Sequence, residues 1–115
     1  MLLVFIGGGI GSVVRFLLGY FFAQQKINGI YSTLTANVFS CVIIAVVMAE
    51  SFSLKNNQAQ TFWAVGICGG LSTFSTFSWQ NWQLMQNQQW GLLSFNLFSN
   101  ILFTLLAIFI GLKLT

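Results

Sequence analysis

Three stretches of the chain, Ile30 to Ala49, Thr61 to Met85 and Trp90 to Leu112, run the length of a membrane-crossing helix without one charged residue. A fourth, Leu2 to Ala23, carries only Arg15. A helix rises about 1.5 Å per residue, so roughly 20 apolar residues cross a hydrocarbon layer of about 30 Å. Each stretch meets that length. The links between them, Gln24 to Gly29, Glu50 to Gln60 and Gln86 to Gln89, are rich in Gln, Asn, Ser and Lys, as expected where a chain re-enters water. Charged residues make up 4% of the 115-residue chain, against about 25% in ordinary globular domains, and so short a chain cannot hide that much apolar surface in its own core. The pattern predicts an all-α membrane protein, with residues 1–115 forming a single domain of four transmembrane helices in contact with lipid.

The same composition removes most catalytic chemistry. General acid and base work draws on His, Asp, Glu, Lys or Tyr beside a substrate, and this chain has no His and one acid, Glu50. A Ser in the third span would have no neighbouring group to activate it, and the Gly7-Gly8-Gly9 run lacks the Gly-Lys-Ser/Thr ending of a phosphate loop. The chain is therefore not read as an enzyme. Side-chain metal sites need clustered carboxylates, imidazoles or thiolates, which two separated cysteines do not supply. Cys41 and Cys68 fall inside predicted spans as small apolar groups, with no disulfide expected. The four positive residues, Arg15, Lys26, Lys55 and Lys113, are scattered singly, which argues against nucleic acid. The N-terminus carries no Lys or Arg before Gly7 and no small-residue cleavage pattern, so it reads as a span and not as a signal peptide.

Orientation is weakly encoded. With four spans, Lys55 and Lys113 share one side and Lys26 lies on the other, a feeble positive-inside bias. A chain this balanced is a candidate for inserting both ways and pairing with itself antiparallel, giving between two copies the inverted symmetry that larger transporters build within one.

Polar residues within the spans are expensive in hydrocarbon unless they face other helices, water or a permeant. Thr33, Asn37 and Ser40 fall on one face of the second span, and Asn96, Ser99, Asn100 and Thr104 form a stripe on the fourth. Hydrogen bonds between helices explain such stripes without any transport role. The third span is less ordinary. It reads Gly66-Ile-Cys-Gly-Gly-Leu-Ser-Thr-Phe-Ser-Thr-Phe-Ser78. Gly69 and Gly70, followed by Ser72 and Thr73, mark a place where a helix can break at membrane depth, as helices do where backbone lines a cavity. Gly66/Gly70 and Gly7/Gly11 also form GxxxG pairs suited to close packing. Past the break, Phe74 and Phe77 lie three apart, as do Ser75 and Ser78. Aromatic rings have a positive edge, so edge-on rings with hydroxyls and the Asn37 amide suit a small anion. No acid lies in the spans to favour a cation.

The run GICGGLSTFSTFS (Gly66 to Ser78), with GGGIGSVVRF (Gly7 to Phe16) and STLTAN (Ser32 to Asn37), strongly resembles the CrcB/Fluc fluoride channels. The match covers three spans in the right order. The resemblance implies a passive fluoride channel of the prokaryotic cytoplasmic membrane, conferring fluoride resistance. It implies an antiparallel, dual-topology homodimer with two pores along the subunit interfaces and a structural sodium ion between third helices broken near their middle. By motif, the backbone carbonyls of Gly69 and Ser72 would hold sodium, and Phe74 and Phe77 would present ring edges to fluoride. Asn37 would line the pore, Ser75, Thr76 and Ser78 would form a hydroxyl track, and Arg15 would stand near the pore entrance.

Family members commonly have Gly at the positions of Ser32 and Ser40 and Glu at that of Gln80, and Ser72 stands for the usual Thr. The fourth span matches only loosely, so its pore residues are left unassigned. Two other readings compete. A small multidrug exporter would need a membrane-embedded carboxylate, and the only acid, Glu50, sits at the end of a span. A non-transporting assembly subunit would use the polar stripes for helix contacts alone and would predict a continuous third helix.

Overall fold

Away from water a backbone must satisfy its own N–H and C=O groups, and a charge-free apolar segment does so as a helix. The computed structural model describes residues 1–54 and 57–114, and Lys55, used above in counting charges, lies outside them. Among the described residues, three helices are long and apolar enough to cross a membrane: α1 (Leu2–Gln24), α2 (Gly29–Leu54), whose apolar part is Gly29–Ala49, and the last helix, Trp90–Lys113. The helix of the second span runs past Ala49 to Leu54, and α3 (Asn57–Gln60) follows, so much of the link expected as loop is helical.

The third apolar segment is assembled from pieces. After α3 comes a π-helical stretch, Thr61–Ile67, in which the Cys68 N–H reaches back five residues to the Trp63 carbonyl. Then come α4 (Cys68–Leu71), two extended residues, and α5 (Phe74–Gln86); Trp90–Lys113 is α6. The extended residues are Ser72 (φ −86°, ψ 150°) and Thr73 (φ −152°, ψ 124°). This differs from the expectation that the helix opens at Gly69–Gly70, because both glycines are helical and Gly70 is pressed against α1.

That contact decides much of the architecture. α1 packs on the π-helical stretch and α4 through glycine, backbone against backbone. A Cβ on Gly7 would stand 2.7 Å from the Phe62 carbonyl oxygen and 3.0 Å from Gly66 Cα. One on Gly11 would run into the Ile67 carbonyl oxygen, and one on Gly70 into that of Gly8, with the Ser12 nitrogen at 2.9 Å. Without a hydrophobic drive between helices in lipid, small residues gain dispersion by letting backbones approach. α2 packs along α6 in the same manner at one point, where a Cβ on Gly111 would lie 2.7 Å from Ala45 Cβ.

The interior is accordingly small and polar, the reverse of a soluble core. Ala36, Ala45, Ala107, Ser32, Thr33, Ser40, Asn96, Ser99 and Asn100 are buried, while Phe5, Phe16, Phe98 and Leu105 point outward. Among the described residues, Ile30, Leu84 and Leu93, at the end where α2 begins, form a cluster of large buried apolar side chains, and Ile67 and Leu71 are buried elsewhere. The turns after α1 and α5 share one geometry. The Ile27 N–H donates to the Phe22 carbonyl and that of Gln89 to Leu84, with Lys26 (φ 59°) and Gln88 (φ 57°) in the left-handed position usually given to Gly. The long dimension is 48 Å, close to the ~40–45 Å of a bilayer with its headgroups.

Candidate functional site

The interruption at Ser72–Thr73 is held by side chains standing in for backbone. Ser72 still completes the last turn of α4, donating both its N–H (3.0 Å) and its hydroxyl (2.8 Å) to the Cys68 carbonyl. The Thr73 N–H, which in a continuous helix would reach the Gly69 carbonyl, donates instead to Asn37 Oδ1 of α2 at 3.4 Å. The Thr76 N–H, which would reach the Ser72 carbonyl, donates to Thr73 Oγ1 at 3.4 Å, so Thr73 is the N-cap of α5. The carbonyls relieved of their helical partners at the break include those of Gly69 and Ser72, whereas the Gly70 carbonyl takes Arg15. A backbone carbonyl is the donor type that hard cations prefer, and a Cβ on Gly69 would meet nothing within 4 Å. Two such oxygens from one chain are too few to enclose a cation, so a site of this kind would need a second copy.

The extended residues open a cleft of about 310 Å³ between α2, α5 and α6, lined by Asn37, Ser72, Thr73, Phe74, Phe77, Asn100, Ile101 and Thr104. The Phe74 and Phe77 rings stand 5.9 Å apart at 45°. Phe74 is 78% exposed, so one wall of the cleft faces outward. Asn37 Nδ2 donates to Asn100 Oδ1 at 3.0 Å, and the Thr104 hydroxyl donates to the Asn100 carbonyl. Among the described residues, no acidic or basic side chain lines the cleft. What it offers a solute is amide and hydroxyl donors on one side and aromatic rings on the other.

Asn37, Phe74 and Phe77, predicted from sequence, meet in this cleft. Ser72, predicted as a sodium carbonyl, also lines it, whereas Arg15, Gly69, Ser75, Thr76 and Ser78 do not. Arg15 donates from Nε to the Gly70 carbonyl at 3.1 Å, which ties α1 to α4, and it lines a separate cavity of about 280 Å³ with Tyr20, Ser32, Thr33, Thr76 and Gln80. Thr76 thus belongs to the arginine cavity. The Ser75 hydroxyl lies 3.1 Å from Thr73 Oγ1, and Ser78 is exposed on α5. The three hydroxyls therefore do not line one track within a single chain. Among the residues that sequence reading left unassigned, Thr73, Asn100, Ile101 and Thr104 line the cleft; the polar stripe of the fourth span was the available signal. Ser40 Oγ and Gln80 Oε1 are buried without a hydrogen-bond partner among the described residues, and both are positions at which the sequence departs from its expected family pattern.

A multi-pass membrane protein with a donor-lined, acid-free cleft at a helix interruption is the class these features define. Residues 2–112 match the family described as CrcB-like protein, Camphor Resistance (CrcB). The chain is 42% identical over 106 residues to the fluoride-specific ion channel FluC of Escherichia coli strain K12, covering 89% of this chain and 82% of the relative. With the fluoride-specific ion channel FluC 3 of Methanosarcina barkeri it shares 32% over 113 residues, 96% of this chain and 86% of that one. With FluC of Phocaeicola vulgatus it shares 35% over 89 residues, 76% and 74% of the two chains. The chain belongs to the CrcB-like family.

Proposed function

We propose that this protein is a passive, fluoride-selective channel that lets cytoplasmic fluoride leave down its electrochemical gradient. The observation that carries the reading is the cleft itself, where Asn37 and the rings of Phe74 and Phe77 line one space with no carboxylate among its lining residues. Fluoride is small and strongly hydrated, so a pore must replace its hydration shell with fixed donors, and a narrow set of donors fits larger halides poorly. Aromatic edges add positive potential without a charge that would trap the ion. An inside-negative membrane contributes about 2.3 kcal/mol per charge per 100 mV, which drives an anion outward without ATP.

In this reading residues 57–86 make the fourth crossing, and two copies assemble antiparallel in the cytoplasmic membrane of a prokaryote. Support comes from the outward-facing cleft wall, the exposed Phe74 and the nearly balanced flanking charges. The second copy would close the cleft and bring its own hydroxyls, Ser75 and Ser78 among them, to the path. The carbonyls of Gly69 and Ser72, paired with those of the partner copy, are the residues that would hold a sodium ion, which when bound supplies a fixed charge joining the two interruptions. Arg15 steadies the interruption from outside the cleft through Gly70.

The test is fluoride efflux from liposomes holding the purified protein, read with a fluoride electrode, with chloride as comparator and a potassium ionophore to relieve the voltage. Rapid fluoride release without chloride release is expected. Absence of release from folded, dimeric protein would overturn the reading and favour a non-transporting subunit.

A further inference from the structure

Four asparagines from three helices are joined head to tail. Asn96 Nδ2 donates to Asn81 Oδ1 at 2.7 Å, Asn100 Nδ2 donates to Asn96 Oδ1 at 2.9 Å, and Asn37 Nδ2 donates to Asn100 Oδ1 at 3.0 Å. The last acceptor, Asn37 Oδ1, takes the Thr73 N–H. The direction of this relay is set by backbone atoms that have no choice, at its Asn37 end and again at Asn100. A backbone N–H only donates, so Thr73 requires the oxygen of Asn37. Asn37 must then turn its nitrogen to Asn100, which must turn its own nitrogen to Asn96. A backbone carbonyl only accepts, and Asn100 Nδ2 also donates to the Asn96 carbonyl at 2.9 Å, which demands the same orientation. Asn96 is 1% exposed and Asn100 6%, deep enough that an unpaired amide there is costly.

We infer that Asn81 and Asn96 are positioning residues. Through Asn100 they hold the Asn37 amide with its oxygen on Thr73 and its second nitrogen-bound hydrogen toward the cleft, so that the permeant meets a donor and never an acceptor. If the relay ran the other way, the Asn37 oxygen would face the cleft and repel an anion, and the Thr73 N–H would face another donor. The device therefore couples the helix interruption to the sign of the pore lining. It rests on the channel reading for its consequence, though not for its geometry.

The test separates these two. Asn96→Leu and Asn81→Leu, which keep the branched skeleton of Asn without its amide, are compared with Ser99→Ala, which lies on the same buried α6 stripe and removes only a 3.4 Å hydroxyl bond to the Asn96 carbonyl and no amide of the relay. Each is checked for dimeric assembly and read twice, by hydrogen exchange at the Thr73 amide in the intact protein and by fluoride efflux. Both asparagine variants are expected to speed Thr73 exchange and to lower fluoride efflux by about tenfold, with Ser99→Ala changing neither. Asn81→Leu keeps the test alive if the more buried Asn96→Leu fails to assemble. Unchanged Thr73 exchange in an assembled relay variant overturns the inference, and so does faster exchange with undiminished efflux. If the wild type carries no fluoride, the channel reading falls, while the exchange arm alone still decides whether the relay holds Thr73.

Discussion

The two seams of this molecule are built from opposite materials. Where α1 meets the π-helical stretch and α4, contact runs through Gly7, Gly11, Gly66 and Gly70, with no side chain between the backbones. Where α2, α5 and α6 meet, Asn37, Asn81, Asn96 and Asn100 hold the helices apart by amide hydrogen bonds and leave a cleft. The first arrangement maximises dispersion and excludes any solute; the second keeps polar groups at membrane depth, tolerable only because each finds a partner. Rigidity on one side lets the other side stay open. The interruption at Ser72–Thr73 lies between them, fastened to α1 through Arg15 and Gly70 and to α2 through Asn37.

Breaking the glycine seam should have the largest effect. Gly70→Val would drive a side chain into the Gly8 carbonyl and the Ser12 nitrogen, backbone atoms that cannot rotate away. A loss of about 3 kcal/mol or more, read as failure to assemble or a collapsed thermal transition in detergent, is expected. Gly69→Ala, one residue away with open space around it, should leave the fold within about 0.5 kcal/mol of wild type. Equal damage from both would mean that helix propensity and not contact governs this seam.

The next effect is functional and belongs to the cleft. Phe77→Ile, or Phe74→Ile, keeps an apolar side chain but removes the ring edge, so fluoride efflux should fall to the rate of protein-free liposomes while the dimer elutes unchanged. Wild-type efflux from either variant would remove the rings from the proposed path. Flux loss together with dissociation would mean that the rings act in assembly.

How much of this was legible beforehand follows from the same contrast. Runs of uncharged apolar residues mark helices because the bilayer enforces them, and the GxxxG pairs name the close-packed seam because nothing but the absence of a side chain is required there. The glycines place the interruption too early, at Gly69–Gly70, since glycine signals both a weak helix and a close approach; here contact with α1 keeps those residues helical. What moves the break to Ser72–Thr73 is Asn37, thirty-six residues earlier in sequence, a tertiary acceptor that local reading does not see. Arg15 and Thr76 read as pore residues by motif yet share a different cavity from Phe74 and Phe77. Successive residues on α5 face different neighbours, and sequence spacing alone does not say which neighbour each meets.

The smallest effect sharpens the comparison at the point where the two seams touch. The Ser40 carbonyl accepts a hydrogen bond from Cys68 Sγ at 3.4 Å, but its hydroxyl is buried, 4% exposed, with no partner among the described residues. Each asparagine of the relay has a hydrogen-bond partner, so this hydroxyl is a polar group caught on the dry side. Removing such a group while keeping the Cβ should help and not harm, because a buried, unsatisfied hydroxyl carries its desolvation cost with no return. Ser40→Ala is therefore expected to raise stability by about 1 kcal/mol, seen as a higher unfolding temperature with unaltered fluoride efflux. A fall in efflux without a gain in stability would instead give Ser40 a partner that only the assembled pair of chains supplies, and would move the boundary between the dry seam and the conducting one by a full turn of α2.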